Sequence, residues 1–132
     1  MSMEILHLGG WRFTAKCRGH QVITDQPLEE DGKDTGMTPV ELFVSSIGCC
    51  IGVYAKIFCD RHKISSEGMK IFLEWKIAEN PSRVGELEVR IHLKKGDIDS
   101  DWEQALIRMI KHCTVHNTLL DPPKIEVSIS EN

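Results

Sequence analysis

Residues 42–55, LFVSSIGCCIGVYA, run for 14 positions without a charge, and this stretch constrains the fold more than any other. It falls short of the roughly 20 apolar residues a membrane span needs, so it reads as a helix enclosed by other elements. Thr38-Pro39-Val40-Glu41 sets the start, with a capping threonine, a proline at the first helical position and a glutamate two residues after it. The helix is expected to cover about 38–63. It is apolar nearly all round, more than one sheet and one partner helix can cover, which predicts a homodimer that buries it. Gly48 and Gly52 each cost about 1 kcal/mol relative to alanine in a helix. With Ser45 and Ser46 they predict a close approach by a neighbouring backbone.

Strand patterns flank this helix. Residues 11–17 alternate, with Trp11, Phe13, Ala15 and Cys17 on the face expected to be buried, and Arg12, Thr14 and Lys16 on the other. Arg18-Gly19 turns the chain into QVITD, giving an N-terminal hairpin over about 10–26. Residues 28–36, LEEDGKDTG, are a charged loop without periodicity. Two strands follow over about 68–95, carrying Met69, Ile71, Leu73, Trp75 and Ile77, then Leu87, Val89, Ile91 and Leu93. Ser100-Asp101-Trp102-Glu103 reads as a second capping box, opening a helix over about 100–117. Ile125, Val127 and Ile129 alternate in a last strand over about 124–130. The expected fold is one α+β domain spanning 1–132, an antiparallel sheet with two long helices packed on one face.

Composition narrows the function. A net charge of −4 with no basic run argues against a nucleic-acid partner. The opening MSMEILHLGG has neither a basic n-region nor a long apolar core, so no signal peptide and no membrane association are expected. Five cysteines without an export signal suit a reducing, cytoplasmic compartment.

The cysteines admit three readings. Free cysteine packs like a small apolar side chain, and Cys17 and Cys59 are assigned that role. Cys17–His20, Cys59–His62 and Cys113–His116 share a Cys-x-x-His spacing, but each pair is half a zinc site and nothing in the sequence brings the pairs together. A redox role needs a nucleophilic thiolate and a second thiol within disulfide reach, a Cα separation of about 4.4–6.8 Å. Cys50 and Cys113 meet that condition if their helices pack together. Neighbours Cys49 and Cys50 do not face each other on a helix. Cys50 lies about three turns from the helix start, beyond the reach of the terminal dipole, so its activation calls for a cation. Arg18, Arg12 and His112 are the candidates.

Residues 36–50, GMTPVELFVSSIGCC, resemble the G-x-x-P-x-E-L-(x)7-C signature of the OsmC/Ohr family, the osmotically inducible and organic hydroperoxide resistance proteins. Cys113-Thr114-Val115-His116-Asn117-Thr118-Leu119 is similar to the stretch around the family's second cysteine, and Gly19-His20-Gln21-Val22-Ile23-Thr24-Asp25 to its first hairpin. The resemblance implies an intertwined homodimer around paired central helices, with two active sites at the interface. It implies that Cys50 is peroxidatic and Cys113 resolving in the reduction of organic hydroperoxides. No bound cofactor is implied; an external dithiol, such as the lipoyl group of a lipoylated protein, resets the disulfide. Arg18 is the candidate activating cation, and Phe43, Ile47 and Val53 are the candidate apolar lining for an alkyl group. The sequence departs from the family at Val40, where family peroxidases carry a glutamate that positions the arginine. That departure sustains a second reading, a dimeric protein that binds a small apolar ligand without fast chemistry. A metal-binding protein built on the Cys-x-x-His pairs is the third.

Overall fold

Two short strands meet first. In the computed structural model, which describes residues 1–94 and 99–131, β2 (Phe13–Cys17) and β3 (His20–Thr24) pair antiparallel with Cys17 opposite His20. Their two-residue turn has Arg18 at φ 51° and Gly19 at φ 82°, the double positive φ of a type I′ hairpin. A strand the periodicity did not reveal, β1 (Glu4–His7), adds to the free edge of β2. Within β2 the expected faces are partly exchanged. Thr14 is buried, whereas Phe13 and Trp11 are exposed, and Phe13 rests against the His7 ring at 5.1 Å. Five residues are too few for alternation alone to decide which face turns inward.

The central helix α1 (Pro39–His62) starts where the capping signal placed it. The backbone N–H of Glu41 donates to Thr38 Oγ1 (3.2 Å), and the N–H of Thr38 donates to the Glu41 carboxylate (2.7 Å). By length and composition α1 could cross a membrane. Its C-terminal half instead builds a core: Ala55 and Phe58 of α1 and Leu106 of α2 (Ser100–Ile110) are buried together. Around them pack Met69, Ile91, Leu93 and Trp102. Ile91 belongs to β5 (Arg83–His92), which pairs with β4 (Lys70–Ala78). Added Cβ atoms on Gly48 and Gly52 would lie 2.6 Å from Leu73 Cδ1 and 3.1 Å from Ile71 Cδ1, so these glycines admit β4 side chains rather than a neighbouring backbone.

The fold is α+β with antiparallel sheets, as expected. The strands form two sheets, β1-β2-β3 and β4-β5, in place of one. The chain divides into two compact units, one of Met1–Ser46 with Trp75–Glu86 and one of Ile47–Glu74 with Leu87–Asn132. Three expected boundaries change. The cap of α2 is Asp99 rather than Ser100, its carboxylate accepting from the N–H groups of Asp101 and Trp102. The helix expected over 100–117 breaks after Ile110 and resumes as α3 (Thr114–Leu120), with Cys113 at the joint. Residues 124–130 form no strand, and Ile125, Val127 and Ile129 are 81%, 87% and 96% exposed. A strand exists only where a neighbour completes its hydrogen bonds, and the lone chain offers this segment none. Lys95, the end of the expected second strand, lies outside the described residues.

Candidate active site

Cys50 sits in the middle of α1, where the packed C-terminal half of the helix holds its backbone fixed. Cys113 is held differently. Its N–H donates to Ile110 O at the end of α2, and its own carbonyl accepts from Asn117 N–H in α3, both at 2.9 Å. Two helix ends therefore fix one residue. Both cysteines belong to the second unit, and the Cys50 thiol lies near enough to act on the ionisation of Cys113.

The two thiols have unequal access. Cys113 is fully buried and Cys50 only half-buried. Burial pushes the Cys113 thiol above its ordinary value of 9.0, and the neighbouring Cys50 thiol pushes it the same way. The backbone N–H groups of His116 and Val115 pull in the opposite direction. Burial in apolar surroundings disfavours the charged thiolate, so Cys113 is held as a neutral thiol. The pair thus consists of one thiol a small molecule can reach and one kept protonated behind it.

The other expected site residues divide between the two units. Ile47 is buried in the second unit's core and Val53 is exposed in that unit, one turn beyond Cys50. Phe43 and Arg18 belong to the first unit. Arg18 is the positive-φ residue of the β2–β3 turn, beside a shallow groove of about 560 Å³ that Lys16, Cys17 and His20 also line. Val40 is partly exposed near the start of α1 and supplies no carboxylate. Among the described residues no three His, Cys, Asp or Glu side chains converge as a metal site would require. His62, from one of the Cys-x-x-His pairs, packs tilted against Phe58 (4.4 Å) and edge-on against Trp102 (4.2 Å).

One buried acid, Asp25, figures in the sequence only as the end of the hairpin stretch, with no role assigned to it. Asp25 is 1% exposed, and its carboxylate accepts from Gln26 N–H (2.9 Å), Lys33 N–H (3.3 Å), Thr35 N–H (3.1 Å) and Thr35 Oγ1 (2.7 Å). The Thr35 hydroxyl is the largest influence holding its pKa below the ordinary 3.8; burial opposes it and the three amides reinforce it. This acid organises a loop. Its sequence signals are its place as the aspartate closing the family-like hairpin stretch, just after β3, and the glycine-bearing charged stretch that follows.

The sequence model of the family described as OsmC-like protein matches residues 32–128. No curated protein matches the chain in sequence. Among solved structures, a Psychrobacter arcticus 273-4 protein named for osmotic stress induction and a detoxification response superposes with a TM-score of 0.81 at 21% identity, covering 89% of this chain and 87% of that one. An OsmC-like protein from Mycoplasma pneumoniae gives 0.77 at 16% identity, over 92% and 87%. An organic hydroperoxide resistance protein from Elizabethkingia anophelis gives 0.62 at 18%, over 89% and 87%. At these identities the likeness to the solved structures is one of fold.

Proposed function

Because the chain belongs to the OsmC-like family, we propose that it is a thiol-dependent peroxidase that reduces organic hydroperoxides by a two-cysteine cycle. The observation that carries this reading is the closeness of a half-buried Cys50 to a fully buried Cys113 whose thiol is held above its ordinary pKa. The Cys50 thiolate attacks the terminal oxygen of ROOH and the O–O bond breaks. Cys50 becomes a sulfenic acid, and the alkoxide takes a proton to leave as ROH. Cys113 then attacks the sulfenic sulfur, expelling water and forming the Cys50–Cys113 disulfide. A dithiol such as a protein-bound lipoyl group reduces that disulfide and is itself oxidised to a cyclic disulfide. Val53, exposed one turn from Cys50, supports an alkyl rather than a hydrogen substituent on the peroxide.

The working form is a homodimer. The uncovered apolar positions of residues 124–130 support it, since each of Ile125, Val127 and Ile129 stands to gain about 1.5–3 kcal/mol on full burial. No nucleic acid, metal or membrane takes part.

The test is chemical. Reduced protein is treated with one equivalent of cumene hydroperoxide or of hydrogen peroxide, alkylated rapidly and mapped by mass spectrometry. The expected product is a Cys50–Cys113 disulfide within seconds from the organic peroxide and more slowly from hydrogen peroxide, with Cys50→Ser abolishing turnover. Full activity in Cys50→Ser, or both thiols left free in wild type, overturns the reading. Val40, at the position of the family glutamate, favours one alternative, a dimeric binder of a small apolar ligand. Tight ligand binding by wild type, with both thiols left free by peroxide, would establish that instead.

A further inference from the structure

The alkoxide expelled from the peroxide needs a proton, and among the described helical neighbours of Cys50 one side chain is placed to give it. Residues three and four positions away are the helical neighbours of Cys50: Ser46, Ile47, Val53 and Tyr54. Ile47 and Val53 carry no proton of use. The Ser46 hydroxyl already donates to Phe43 O at 2.7 Å. Tyr54, the chain's single tyrosine, is half-buried, and its hydroxyl has no hydrogen-bond partner among the described residues. A partly buried phenol normally finds a partner, so an unengaged one beside a nucleophile is available to a ligand.

Helix geometry fixes the direction. Each Cα–Cβ bond tilts toward the helix N-terminus, and long side chains cover the turn that precedes their own Cα. Tyr54 follows Cys50 by four residues, so its ring leans back over the turn that carries the thiol. Cys113 is required as an intact thiol for the next step.

We propose that Tyr54 is the proton donor to the leaving alkoxide and a hydrogen-bond donor to the bound hydroperoxide. As the Cys50 sulfur bonds to the terminal oxygen, the O–O bond breaks toward the alkyl-bearing oxygen, and the Tyr54 O–H proton passes to that oxygen to give ROH. A phenol is a stronger acid than an alkanol, so the transfer runs downhill. The phenolate regains its proton from water before the next turnover. The proposal rests on the peroxidase reading and deepens it by naming the group that assists O–O cleavage; general acids of this kind contribute about 10²–10⁴-fold.

The experiment compares wild type with Tyr54→Phe, which keeps the ring and removes the proton. The single-turnover rate of Cys50 oxidation is measured with tert-butyl hydroperoxide, whose leaving group is a strong base, and with peracetic acid, whose leaving group is a weak one. Tyr54→Phe is expected to slow the first reaction by about 10²-fold and the second by less than about 3-fold, with an unchanged rate of Cys50 alkylation by iodoacetamide. Equal slowing with both oxidants, or none with either, overturns the assignment while leaving the peroxidase reading intact. Failure of wild type to oxidise Cys50 with either peroxide removes the peroxidase reading and this inference with it. Should Tyr54→Phe misfold, single-turnover rates of wild type across a series of peroxides decide: weak dependence on leaving-group basicity supports the donor, and steep dependence overturns it.

Discussion

Two segments of similar length, residues 25–37 and 121–131, contain neither a long helix nor a strand, yet they are held very differently. The first is charged and aperiodic. It is nevertheless fixed, because four donors converge on the Asp25 carboxylate and because Gly32 sits against the Gln26 carbonyl. The second carries a clean strand pattern in Ile125, Val127 and Ile129, and within the single chain those side chains are almost wholly exposed. A hydrophobic pattern states what a segment can bury. Order comes from the partners that complete its hydrogen bonds and cover its surface.

The largest effect expected on this contrast is at Gly32. An added Cβ would fall 1.8 Å from Gln26 O, a backbone atom that cannot move aside cheaply. Gly32→Ala should therefore destabilise the protein by about 3 kcal/mol, read from urea unfolding. A loss below about 0.5 kcal/mol would mean that the loop is not fixed by close packing.

Next comes the tail. Val127→Lys should leave urea unfolding of the monomer unchanged within about 0.5 kcal/mol, because Val127 is 87% exposed there. It should weaken self-association by about 100-fold in sedimentation experiments, the loss of one buried valine. An unchanged dimer would show that the tail finds no partner in a second copy.

The smallest effect concerns acid. Because the folded pKa of Asp25 is depressed, its stabilisation is fully present above 3.8 and is lost as pH falls through the still lower folded value. Thr35→Val removes the largest cause of that depression, so the variant's stability should fall less steeply with pH below 3.8 than wild type's. Parallel curves of unfolding free energy against pH would show that the hydroxyl does not hold the carboxylate.

What the sequence disclosed follows the same division. The capping box of α1 was legible because it is local, Thr38 and Glu41 being three residues apart. So were the Arg18-Gly19 turn and the alternation of Leu87, Val89, Ile91 and Leu93. The Asp25 hub was not, because Lys33 and Thr35 reach it from eight and ten residues away. The break at Cys113 also went unseen. Lys111-His112 contains neither glycine nor proline, and the apolar stripe of Trp102, Leu106 and Met109 runs on to Cys113 as if the helix continued. Cys50 and Cys113 could be named from resemblance, whereas the unequal burial of the two thiols is a property of packing alone.

The break has a mechanical consequence. Cys113 stands at a joint, with φ −57° and ψ 125°, between one helix that has just ended and another that has just begun. Its N–H and its carbonyl are tied to those two helix ends, so its sulfur is left only the rotation about the Cα–Cβ bond. The chain has traded one uninterrupted rod for an elbow whose corner is clamped from both sides.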